Sequence, residues 1–172
     1  MKRHMMLLSV VLALLTVFWG AVPAAARATV TEFTALEATC SVIPGTEWVS
    51  GNVLHIRNEV DTTRVASTAP LTNGTNTVVV NVDLNLKNGS GDIHGTFSLQ
   101  PDGVNGAWVG HFSGHVTDSV FFGHAVGQGT GELAGMKDMV SLQGTEVSAN
   151  QPCPGPALGA DIVTGRILNP HG

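Results

Sequence analysis

The clearest pattern in the chain is a strict alternation that begins at Thr77, in TVVVNVDLNLKN. Val78, Val80, Val82, Leu84 and Leu86 fall on one side, and Val79, Asn81, Asp83, Asn85 and Lys87 on the other. A period of two is the signature of a strand with one buried face. NGSG then supplies a hairpin signal. The next run, DIHGTFSLQ, places Ile93, Phe97 and Leu99 on one face, and after a turn at PDGVNG the run AWVGHFSGHVT groups Trp108, Phe112 and Val116. Pairing Leu84 with Ile93 brings Val80 to Phe97 and Val78 to Leu99, and pairing Leu99 near Trp108 continues the same apolar face. Carried through the turn at Thr117–Ser119, the face reaches Phe121 and Ala125. Carried through Met136–Asp138, it sets Leu133 against Val140, with Leu142 following. A slip of one residue would turn every side chain over, so agreement along successive strands fixes a face.

Further strands are expected from Val30 to Ala38, Glu47 to Arg57 and Asp161 to Leu168. No segment carries a convincing helical period. The expected fold is therefore all-β, with about eight antiparallel strands mostly in hairpins, which suits a small closed barrel. A two-layer sandwich is the alternative. The polar segment from Asn58 to Asn76, NEVDTTRVASTAPLTNGTN, reads as a long loop that could cap a barrel mouth. Gly110, Gly114, Gly123, Gly127, Gly129 and Gly131 fall on the apolar face by the same count. There they permit curvature and leave room for Trp108 and the Phe rings, or else for a ligand.

The N-terminus changes the picture of the compartment. MKRH gives a positive start, MMLLSVVLALLTVFWGA an uncharged apolar run, and VPAAARA two small-x-small cleavage patterns. That order reads as a secretory signal over residues 1–28, removed to leave a single barrel domain over residues 29–172 with no membrane segment. An uncleaved anchor is the rival, and the Pro and Ala cluster favours cleavage. The remaining segment is long enough for one domain with its own core. Its cations are Arg57, Arg64, Lys87, Lys137 and Arg166, against all thirteen acidic residues of the chain. Such an acidic surface with scattered cations excludes nucleic acid as a partner, because phosphate backbones need clustered Lys and Arg. In a secreted or envelope protein the two cysteines, Cys40 and Cys153, are expected to form a disulfide.

Candidate chemistry is sparse. His94, His111, His115 and His124 share the polar side of three adjacent strands. On a strand His111 and His115 stand roughly 13 Å apart, four steps of about 3.3 Å, too far to share one ion. What remains is cross-strand pairing, His115 with His124 and His94 with His111, which would make a weak metal or pH-sensitive patch. The bland alternative is a solvated polar face, since the apolar face of the Val78 strand should point inward. His55 and Arg57, in HIR, share a face that Glu59 would join, and such a trio can bind an acid or move a proton. It is also the composition of an ordinary surface ion pair. An interior His55 or Arg57 would favour an enzyme, whereas Trp108 and Phe112 would contact an apolar ligand. No Gly-x-Ser-x-Gly, His-Glu-x-x-His or Cys-x-x-Cys motif occurs, and no cofactor is implied. Asn73-Gly74-Thr75 and Asn88-Gly89-Ser90 match the glycosylation sequon and read equally as Asn-Gly turns.

At GQGTGELAGMKDMVSLQG, Gly127 to Gly144, the chain resembles bacterial proteins of the allene oxide cyclase-like barrel group, which carry a similar Gly-x-Gly-Thr-Gly-Glu-Leu-x-Gly-Leu hairpin. The preceding GTFSLQPDGVNGAWVGHFSG is similar in spacing to the hairpin before it, so the resemblance runs from Gly95 to Gly144. It implies an eight-stranded antiparallel barrel. The plant cyclases of the group act on an unstable fatty-acid epoxide in an apolar cavity. No position here matches their catalytic residues, and a shared fold does not transfer an activity. The expected function is a secreted barrel that binds a small apolar ligand or serves a non-catalytic envelope role, with an isomerase or cyclase acting on a lipid-like substrate as the alternative.

Overall fold

The computed structural model describes residues 27–147 and 151–172. The expected signal segment lies almost entirely outside the described residues. Nine strands follow one another: β1 Thr29–Ile43, β2 Thr46–Ser50, β3 Val53–Ser67, β4 Gly74–Asn85, β5 Ser90–Pro101, β6 Trp108–Thr117, β7 Val120–Gly129, β8 Lys137–Thr145 and β9 Gly159–Asn169. All neighbouring pairs are antiparallel, and β1 pairs with both β9 and β3. Those pairings close an eight-stranded barrel and leave β2 outside it. The described residues hold no α-helix, only two short 3₁₀ turns at Pro70–Thr72 and Gly131–Leu133.

The alternation read from the sequence holds from β4 to β8. Val78 and Val80, Ile93, Phe97 and Leu99, Phe112, Phe121 and Ala125, Val140 and Leu142 all face the barrel interior. Leu99 lies opposite Trp108, as expected. Two details differ. Val82 rather than Leu84 meets Ile93, and Val78 meets Phe97, because the β4–β5 turn takes up four residues, from Leu86 to Gly89. A shift of two keeps every side chain on its face, so the alternation alone could not detect it. Leu133 does not meet Val140. It sits in a 3₁₀ turn, fully buried at 1% exposure, and Ala125 lies opposite Val140 instead.

The larger correction concerns residues 58–76. Most of this segment is strand: β3 runs to Ser67 and β4 starts at Gly74, leaving a short connection around the first 3₁₀ turn. Its inward side carries Asp61, Thr63 and Val65, so no apolar alternation marks it. The expected strand from Glu47 to Arg57 is in fact a hairpin, with β2 and β3 joined at Gly51, which turns at φ 61°. β1 and β2 are nearly one strand, interrupted at Pro44–Gly45. Opposite that break β3 bulges between Ile56 and Glu59, with Asn58 at φ 58°. A bulge bends its strand and re-aims the side chains beyond it, and here it separates the protruding β2–β3 hairpin from the barrel wall.

The core closes one end of the barrel. Phe33, Val65, Leu99, Trp108, Leu133 and Ile167 are buried against each other there. Trp108 has no exposed surface, and its indole Nε1–H donates to the carbonyl of Leu71 at 2.7 Å, which satisfies its only polar atom. Near the other end, the expected disulfide is present between Cys40 and Cys153, whose Cα atoms are 5.4 Å apart. Cys40 is the extra residue of a bulge in β1, between Thr39 and Ser41 in the pairing with β3.

Candidate functional site

Above the core the barrel interior is a cavity of about 670 Å³, reaching from Phe33 and Leu99 to the exposed residues Ser119 and Glu146. Its two sides differ in chemistry. β5, β6 and β7 contribute Phe97, Phe112 and Phe121. These rings lie where glycine leaves space: Phe121 covers Gly114, and Phe97 covers Gly127. A Cβ at either glycine would collide with the ring, so glycine here makes room for aromatic side chains.

Across the barrel, β9, β1 and β3 contribute Asp161, Glu37 and Asp61. Asp161 stands opposite Glu37 in the ladder. Glu37 is held in place: Thr63 Oγ1 donates to its Oε1 at 2.5 Å, and Asn76 Nδ2 donates to the same oxygen at 2.9 Å. Those bonds fix the Asn76 amide with its nitrogen toward the carboxylate, and its Oδ1 is buried without a partner. Asp61 Oδ1 is buried without a partner too. A fourth carboxylate, Asp138 on β8, is 4% exposed, and its Oδ1 lies over Gly127 with no hydrogen bond.

The setting perturbs these acids. Burial raises Asp61 to about 6, with the negative charges of Glu59 and Glu37 adding to it. Burial and then Glu37 raise Asp161 to about 6. Burial alone raises Asp138 to about 6, while the nearby backbone N–H groups of Asp138 and Gly127 pull the other way. Nearer the β2–β3 hairpin, burial and then Glu47 raise Glu59. No Lys, Arg or His lies among the described residues that line the cavity. The interior therefore concentrates negative charge and acceptor atoms on one wall and aromatic surface on the other.

The residues singled out in the sequence are distributed differently. Phe112 lines the cavity, whereas Trp108 lies in the core beneath it. His55 and Arg57 are absent from the lining and meet Asp83 outside the barrel, at 2.5 Å and 2.6 Å. Trp48 of β2 stacks on His55 with centroids 4.9 Å apart, and Arg57 lies 5.5 Å over the Trp48 ring. Hydrogen bonds from Arg57 first, then His55, hold the Asp83 carboxyl below its ordinary range. Glu59 does not join them, because the bulge at Asn58 turns it away. The four other histidines are exposed on the outer face. His94 and His124 both stand opposite Ser113, His115 opposite Phe122, and His111 opposite Thr96 and Val126, so no two histidines are direct cross-strand partners. His115 Nδ1 pairs instead with Asp92 at 2.8 Å, and His124 Nε2 lies 3.3 Å from Ser113. Among the described residues no three His, Cys, Asp or Glu side chains are grouped to hold a metal ion.

The acidic wall went unread because its residues are scattered along the chain, on β1, β3 and β9. One signal was available. Val60, Thr62, Thr63 and Val65 are a β-branched run inside the segment assigned to a loop.

The fold and the site together define a small closed barrel with an amphipathic interior and a disulfide. No family model matches the chain, and no curated protein matches it.

Proposed function

We propose that this is a secreted or envelope binding protein that takes one small, largely apolar molecule into its barrel. The observation that carries the reading is the open cavity of about 670 Å³ with an aromatic wall, within the range of small-molecule sites, roughly 300–1,000 Å³. The disulfide and the apolar N-terminal run support the compartment. The glycine hairpin from Gly127 to Gly144 supports placing the barrel in the allene oxide cyclase-like group. One observation favours a second reading, an isomerase or cyclase acting on a lipid-like substrate. Asp138 is a carboxyl raised to about 6 inside the cavity, the kind of group that can give or take a proton near neutral pH.

Calorimetric titration with decanol, a neutral apolar probe, tests the binding reading. The expected result is saturable binding of one molecule per chain, abolished in Ala125→Leu, which fills space beside Phe112. A flat titration, or binding indifferent to that substitution, overturns it.

A further inference from the structure

We propose that the ligand carries a protonated amine, bound by Glu37, Asp61 and Asp161, with its apolar body against Phe97, Phe112 and Phe121. This inference rests on the binding reading above and names the chemical class of the molecule bound.

Three observations lead to it. First, the carboxylates converge from three adjacent strands, β9, β1 and β3, onto one wall of the cavity. Carboxylates gathered in this way repel one another unless they take up protons or a positive charge sits among them. The chain supplies none at this place: no Lys, Arg or His is among the described lining residues, and Arg57 and His55 are occupied outside the barrel by Asp83.

Second, the wall holds acceptors that lack donors. Asn76 is 6% exposed, and its only polar contact is the amide nitrogen's bond to Glu37. Its Oδ1, on the same wall, is buried and unpaired, as is Asp61 Oδ1. Turning the amide over would set its oxygen against the Glu37 carboxylate, so the unpaired acceptor is a fixed part of the wall. A buried acceptor left without a donor costs free energy in the empty barrel, so this wall is short of donors. An ammonium brings both the charge and up to three donors.

Third, β5, β6 and β7 present aromatic rings and no charged side chain of their own to the cavity, although Asp138 of β8 reaches that wall over Gly127. A molecule spanning the cavity must therefore be amphipathic, with its cation toward β1 and its apolar body toward β6. A carboxylate or sulfate head would meet like charge on the β9–β1–β3 wall.

The test compares three probes of one chain length, decylammonium, decanol and decanoate, by calorimetry at about pH 7.5, where side-chain carboxyls ionise and an alkylamine is protonated. The protein is expressed from the full chain with its disulfide formed. Charge-assisted hydrogen bonds are the stronger kind, so decylammonium should bind roughly tenfold or more tightly than decanol, with decanoate weakest. Glu37→Gln combined with Asp61→Asn should bring the ratio of decylammonium to decanol affinity down roughly tenfold, toward one, and because the ratio is taken within the variant any general change in binding cancels. Gln at position 37 can still accept from Thr63, and near-ultraviolet circular dichroism confirms that the variant is folded.

Equal affinity for decylammonium and decanol, or decanoate binding as well as decylammonium, overturns the amine assignment and leaves the binding reading standing. An advantage that survives in the double variant also overturns it. Failure of all three probes to bind overturns the binding reading itself. The comparison on the unmodified protein does not depend on any variant folding.

Discussion

Replacing Asp138 with Asn should favour the folded protein more at neutral pH than in acid. Asp138 is 4% exposed, and burial raises its carboxyl from 3.8 to about 6, with no charged side chain contributing. A raised carboxyl binds its proton more tightly in the folded state than in the unfolded state. Its stability contribution is therefore fully present below about pH 4 and is lost as pH rises through about 6. A shift of about two units at 1.36 kcal/mol each is on the order of 3 kcal/mol. For a domain of this size that corresponds to roughly 6–12 °C in melting temperature. Asn keeps the shape without the charge. Its amide would have to find its own partners, but that cost is the same at both pH values. The informative quantity is therefore the difference between variant and wild type, measured by urea unfolding at about pH 4 and again at about pH 7.5. Taking this difference also cancels the similar titration of Asp61 and Asp161. We expect a gain for Asp138→Asn near 3 kcal/mol larger at the higher pH. An equal difference at both values would show that the carboxyl titrates alike in the folded and unfolded chain, and would refute the burial argument.

Two further predictions concern the frame. Replacing Cys40 and Cys153 together with Ala opens a loop with a sequence separation of 113, and should cost up to roughly 4–5 kcal/mol by the chain-entropy argument, read from the denaturant midpoint. A midpoint unchanged against the oxidised protein would refute it. Gly114→Ala would press a methyl group into the Phe121 ring and the Phe122 carbonyl, and should cost about 1–3 kcal/mol. Gly155→Ala, where nothing lies within 4 Å, should stay within about 0.5 kcal/mol. Equal effects at the two glycines would remove the case for the ring-on-glycine wall.

How legible each part was depends on what its interior face is made of. The β4–β8 wall is apolar on its inner side, from Val78 to Leu142, so a period of two exposed both the strands and their orientation. The β1–β3 wall carries Glu37, Thr39, Asp61 and Thr63 inward. The same polar residues that build the candidate site erase the apolar alternation that would have revealed β3. A sequence scan for strands is thus weakest where the inner face of a barrel is polar. The outer cluster of His55, Arg57 and Asp83 was half readable. His55 and Arg57 share a face, but Asp83 reaches them only through the β3–β4 register. The histidine face was correctly placed on one side, yet an error of two residues in pairing is enough to exchange His–His partners for His–Ser ones. Alternation settles which side a residue occupies and says nothing about which neighbour it meets.

The position of Cys40 has a consequence for the rim of the barrel. Hydrogen bonding between β1 and β9 ends at Thr39 and Gly159, one residue before Cys40. Beyond that point β1 continues alone along β3, and a seam left there would fray open and shut with thermal motion. The bond to Cys153 draws the β8–β9 connection across the gap, and Leu158 N–H adds a hydrogen bond to the Thr39 carbonyl. The rim thus has one lip fastened covalently. Facing it is the β6–β7 turn, where Asp118 and Ser119 sit at φ 48° and 64° with no such fastening. On the proposed binding reading, this unfastened turn is the side of the rim at which a guest would enter. In a reducing medium the end of the β1–β9 seam would lose its covalent fastening and keep only the Leu158–Thr39 hydrogen bond.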